Sequence, residues 1–131
     1  MKRLSLLLAS MLVMNAAAQE SKSSIEKIYE VYGSAWDEIV AIDSQRQSVF
    51  IDLLENRVEI ALVPYEKGEK YTPLSTVPLF NKFNSSIKAD ETFDPENFNI
   101  LKYDLPFFSM RNLSYRVDGT DYDIFIKSQK R

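Results

Sequence analysis

The chain has 131 residues, 19 of them acidic and 16 basic, and contains neither cysteine nor histidine. One domain is the natural expectation for this length. The two missing residue types exclude Ser-His-Asp and Cys-His nucleophilic catalysis, the usual zinc sites, histidine-held haem and any disulfide framework.

The first residues, "MKRLSLLLASMLVMNAAAQE", place Lys2 and Arg3 ahead of an apolar run, Leu4 to Met14, that is too short to span a bilayer. Ala16 and Ala18 supply the small-x-small pattern of a signal peptidase site. The expectation is a signal peptide over 1–18 and a single α+β domain over 19–131, secreted or periplasmic. Removing 18 of 131 residues leaves 113, enough to build a core without staples. Removing Lys2 and Arg3 from the 16 basic residues leaves 14 against 19 acids, a net charge of about −5. That balance argues against nucleic acid and anionic membrane surfaces as partners, and no later segment is long and apolar enough to cross a membrane.

Three serines open the mature chain, each followed three residues later by an acid or amide: Ser23 with Glu26, Ser34 with Asp37, and Ser44 with Gln47. This is the spacing of helix N-caps. Apolar residues follow at helical intervals, and Gly33 suits a left-handed stop. The spacing predicts three short helices near 24–32, 35–42 and 45–56. With no histidine anywhere and no suitably spaced lysine, the serines read as punctuation rather than as nucleophiles.

The period changes to two at "RVEIALVP", a strand with Val58, Ile60 and Leu62 on one face. "YEKGEKYTP" is a polar turn. "LSTVPLF" is expected to be a second strand, confined to an edge by Pro78. Residues 81–97 read as a long surface loop. "DPEN" at 94–97 is a helix-start signal. The following run to Pro106 is equally compatible with a helical turn and with an extended segment. The chain ends in "NLSYRVDGTDYDIFIK", where Asp118-Gly119 suits a type I′ hairpin turn. That turn would set Tyr115 opposite Tyr122, Leu113 opposite Ile124 and Arg116 opposite Asp121. The fold class is α+β: three short N-terminal helices packed on a small antiparallel sheet that ends in a C-terminal β-hairpin.

The chemistry left open is carboxylate catalysis, calcium, and binding by aromatics. The sequence gives no means of choosing two cooperating acids among 19. "DGTDYD" fails the EF-hand spacing and reads as a solvated hairpin tip. No catalytic residue, metal or cofactor is assigned. Nine aromatics crowd the stretch from Tyr65 to Phe108. Most belong in a core, and some suit a groove for a peptide or glycan. Tyr65 and Tyr71 are candidates on that ground. Phe125 is a third: alternation places it on the face of the last strand opposite the helices, either as a surface anchor or beneath the loop 81–108.

The tail, from "NFNILKYDL" to "YRVDGTDYDIFIKS", resembles small exported proteins of Bacteroidota to which no function is assigned. The resemblance covers about the last third of the chain. It implies a cell-envelope or secreted setting and carries over no site residue. The reading at this level is an exported non-catalytic domain that binds an envelope or extracellular protein or glycan. The alternative is a carboxylate-dependent glycan hydrolase.

Overall fold

The computed structural model describes residues 22–129, so the expected signal peptide lies outside the described residues. Three helices come first: α1 (Ser24–Tyr32), α2 (Ala35–Ile42) and α3 (Arg46–Asp52). A π-helical turn, Leu53–Arg57, carries α3 into strand β1 (Val58–Leu62). After a long irregular stretch come β2 (Leu113–Arg116) and β3 (Tyr122–Ile126). The sheet is antiparallel, in the order β1-β3-β2. This is the α+β arrangement of helices followed by a small sheet ending in a hairpin.

The serines do not all behave alike. Ser23 caps α1, its Oγ accepting from the Glu26 N–H at 3.2 Å. Ser34 has helical backbone angles and makes no capping bond. Ser44 precedes Gln45, the N-cap of α3, which makes no side-chain cap. The capping reading therefore holds at Ser23 alone. Gly33, at φ 58°, ends α1, and only a turn separates it from α2, so Ser34 never adopts the extended geometry a cap needs.

Alternation divides the sheet into two faces. Val58, Ile60, Leu113, Tyr115, Tyr122, Ile124 and Ile126 meet Ile28, Val31, Trp36, Phe50 and Leu53 from the helices in one core. Trp36 is wholly buried among Tyr32 and Phe50, and its indole N–H donates to Gln47.

The hairpin turns at Asp118-Gly119, but its register differs from expectation by two residues. Leu113 pairs with Ile126, Tyr115 with Ile124, and Arg116 with Asp123. The Thr120 N–H closes the turn on the Val117 carbonyl. Gly119 has φ 74°, whereas Asp118 does not enter positive φ. A type I′ turn needs both, so the loop lengthens instead. A slip of two leaves every side chain on its expected face, because the strand period is also two.

"LSTVPLF" is not a strand. Leu74–Thr76 is a 3-10 turn, and Leu79 makes a single bridge to Tyr103. Pro73 and Pro78 flank the turn without an N–H for a ladder. The segment that sequence left open contains a 3-10 turn, Ile100–Lys102, before that bridge. At "DPEN" the Asp94 side chain accepts from the Glu96 N–H, but the turn does not propagate into a helix. Parts of the loop 81–108 fold onto the helical layer: Asn84 donates to the Val31 carbonyl, and the buried Asn99 to Lys27 O and Glu30. Burial pushes the Glu30 carboxyl up, yet the hydrogen bonds from Asn99 and Lys22 outweigh it and hold it below its ordinary value.

Candidate functional site on the outer sheet face

The sheet face turned away from the helices carries Glu59, Ala61, Ser114, Arg116, Asp123 and Phe125. None belongs to the main core. Its centre is an ion pair: Arg116 Nε donates to Asp123 Oδ1 at 2.5 Å, with Arg116 9% and Asp123 5% exposed. Charges this enclosed require partners. Arg116 also approaches Asp121 at 3.6 Å and donates Nη2 to the Val63 carbonyl at 2.7 Å. The expected pairing with Asp121 is thus the secondary one.

The segment after β1 returns along the outer edge of β2. The Arg116 N–H donates to the Thr72 carbonyl, and Pro73 bridges to Arg116. This path lays the Tyr71 ring over the Arg116 guanidinium, 4.0 Å from its centroid. Tyr65 packs on Tyr71 with ring centroids 5.7 Å apart. The result is a graded stack: an enclosed ion pair, a half-buried ring, and an outer ring 65% exposed. Guanidinium on an aromatic face is a favourable and geometrically defined contact.

All three sequence candidates can be placed. Tyr65 and Tyr71 are in direct contact. Phe125 lies on the same sheet face, half-buried, opposite Glu59 on one side and Ser114 on the other. It is one rung along the hairpin from the Arg116–Asp123 pair. Sequence reasoning missed Arg116 and Asp123 as the base of the stack. The available signal was their shared face at the end of the hairpin, obscured by the register slip.

A second concavity, of about 510 Å³, is lined by Asp90, Glu91, Asp118, Phe93 and Tyr103, among others. Asp90 is tied to Lys102 at 2.9 Å. Ser75 donates both its N–H and its O–H to Asp118, which holds that carboxyl below its ordinary value. Burial, then the charges of Asp90 and Asp118, push the Tyr103 phenol up. Among the described residues no three acids are grouped so that they could hold a metal ion, and no helix is long and apolar enough to cross a membrane.

Compared with protein-family models, curated proteins and solved structures, the chain matches none.

Proposed function

We propose that the chain is an exported, non-catalytic domain that binds a protein or glycan of the cell envelope or extracellular space on its outer sheet face. The observation that carries this reading is the Tyr65–Tyr71–Arg116 stack. A tyrosine held in place from beneath offers a flat apolar body and a polar tip at little entropic cost, the combination that recurs in binding hot spots. The exposed Tyr65 ring, backed by Tyr71, suits the apolar face of a sugar and its phenol the hydroxyls, and equally a peptide edge. Export rests on the N-terminal pattern and accords with the resemblance to small exported Bacteroidota proteins. Intact-mass measurement tests it, with a mature chain beginning at Gln19 expected and a retained Met1–Ala18 segment refuting it.

The binding test compares the unmodified chain with Tyr65→Ala as affinity bait in the native host's envelope fraction and on defined glycans. Loss of a specific partner with an unchanged unfolding midpoint supports the reading. Undiminished capture by Tyr65→Ala removes it.

The alternative of a carboxylate-dependent glycan hydrolase would have to draw on the acids of the cleft lined by Asp90, Glu91 and Asp118. A glycosidase needs one carboxyl held up as a general acid. Asp118 is displaced in the opposite direction. Glycan cleavage abolished by both Asp90→Asn and Asp118→Asn would establish that alternative.

A further inference from the structure

We propose that β1 is a self-pairing edge through which two copies of this chain join antiparallel about a two-fold axis at Ile60. Hydrogen-bond direction decides which backbone groups of β1 are free. The Val63 N–H donates to the Asp121 carbonyl, and the Lys127 N–H to the Arg57 carbonyl. In an antiparallel ladder the backbone groups of alternate residues point to the same neighbour. Residues 57, 59, 61 and 63 therefore turn their groups toward β3. Val58, Ile60 and Leu62 turn theirs to the other side. β1 is the end strand of the sheet, and no described residue makes a backbone hydrogen bond to Ile60 or Leu62 on that side. The Val58 N–H is already used by the Leu53 carbonyl.

This parity restricts how a second β1 can pair. The two-fold must fall on one of residues 58–62, so that even-numbered residues face even-numbered ones. At Glu59 it sets two like charges directly opposite. At Ala61 it sets Pro64, which has no N–H, opposite Val58, and only part of the strand overlaps. At Leu62 it sets Pro64, which has no N–H, opposite Ile60. At Val58 it sets Asn56, inside the π-helical turn, opposite Ile60. At Ile60 the whole strand overlaps. Ile60 pairs with Ile60 of the other copy through reciprocal bonds, and each Leu62 N–H meets the Val58 carbonyl whose own N–H is internally satisfied. The charges agree: Glu59 falls opposite Ala61 rather than opposite a second Glu59.

The side chains supply a second, independent reason. Leu62 is 65% exposed, although its strand neighbours Val58 and Ile60 pack against the core. Beside β1, on the core side, lies a depression of about 270 Å³ whose apolar lining includes Leu54, Val58, Ile60 and Phe98, together with the charged Lys27 and Glu96. In the proposed pairing each Leu62 comes to lie beside the Val58 of the other copy, at the mouth of that depression. An unpaired apolar edge invites such pairing, and short charged edges prevent it. Here the single charge, Glu59, stands on the outer face and does not block the approach. The two outer faces would then form one continuous six-stranded surface bearing two tyrosine stacks, which raises avidity for a repetitive partner.

The test uses the purified chain. Sedimentation over a range of concentrations is expected to show the mass rising from one chain to two. Leu62→Lys is expected to weaken that association at least about tenfold, with an unchanged unfolding midpoint, since residue 62 is exposed. The chain has no cysteine, so register can be read directly. Under mild oxidation Ile60→Cys is expected to give a covalent dimer, because facing residues in such a pair lie within disulfide reach. Leu62→Cys is not, because it faces residue 58. If Ile60→Cys does not fold, Val58→Cys combined with Leu62→Cys in one chain examines the same register. A single-chain mass at every concentration overturns the proposal, including the case in which the edge accepts an extended peptide instead. Equal cross-linking of Ile60→Cys and Leu62→Cys overturns the register.

Discussion

The two faces of the sheet solve the same problem by different means. The inner face is aliphatic and aromatic, closed by the helices, with Ile124 and Ile126 almost wholly buried. The outer face encloses an ion pair and covers part of it with Tyr71 from a loop. Apolar burial stabilises in proportion to area and tolerates many partners. An enclosed ion pair adds little net stability, because desolvation offsets attraction, but it demands one geometry. The inner face is therefore the source of stability, and the outer face a means of fixing where Tyr71 and Tyr65 stand.

The largest effect should come from breaking the inner face. Trp36→Ala removes a fully buried ring from contact with Tyr32 and Phe50 and is expected to cost about 3–5 kcal/mol in denaturant unfolding. A chain that retains its midpoint after this change would contradict the assignment of the core.

Phe125→Ala sharpens the contrast from the other side. Phe125 is half-buried, outside the main core and flanked by Glu59 and Ser114. The expected cost is about 1–2 kcal/mol, well under that of a fully buried phenylalanine. A loss of about 3 kcal/mol or more would mean that the outer face is a second core. Normal stability with weakened partner capture would make Phe125 part of the binding surface.

The helical layer offers a finer comparison. Ser23→Ala deletes a real cap and is expected to cost about 1 kcal/mol. Ser34→Ala deletes none and should stay within about 0.5 kcal/mol. The difference between the two unfolding midpoints is the measurement, and equal losses would show that Ser34 caps α2 in solution.

These contrasts follow the limits of what the sequence carried. α1 and α2 fall where the spacing put them, because their ends are set by Ser23 and Gly33 within one turn. β1 and the hairpin were legible from a period of two, and the faces survived the register slip for the same reason. What was not legible depends on distant partners. Ser34 looks like a cap in sequence, but the tight Gly33 turn holds it in helical geometry. The 3-10 turn at Leu74–Thr76 ends in a hydrogen bond from Ser75 to Asp118 across the fold. In the sequence only their residue type marks Tyr65 and Tyr71. That Tyr71 should rest on Arg116 required the path of the chain along β2, which no local pattern encodes.

The smallest expected effect is on pH, and it separates the two faces by their chemistry. The inner face carries no carboxylate, so acid sensitivity of the sheet must originate in the outer face and its hairpin. Asp118, at the hairpin turn, accepts from the Ser75 N–H at 3.0 Å and from its O–H at 2.6 Å. These donors favour the ionised form and hold its folded-state carboxyl below the ordinary value of 3.8. The unfolded chain then binds the proton more readily than the folded one. The stabilisation is complete above the ordinary value and is lost as pH falls from there through the lower folded value. Asp118 is exposed and water screens it, so the contribution is small. Asp118→Asn removes the titration while keeping an acceptor for Ser75. The unfolding midpoint of the unmodified chain should exceed that of Asp118→Asn at about pH 6, and the difference should shrink as pH falls below the ordinary carboxyl value and through the lower folded one. Glu30, on the helical layer, is also held below its ordinary 4.5 and titrates in both chains, so it cancels in the difference. A difference that grows on acidification would mean that the Ser75 contacts do not favour the carboxylate, and that the hairpin is tied to the 3-10 turn by packing alone.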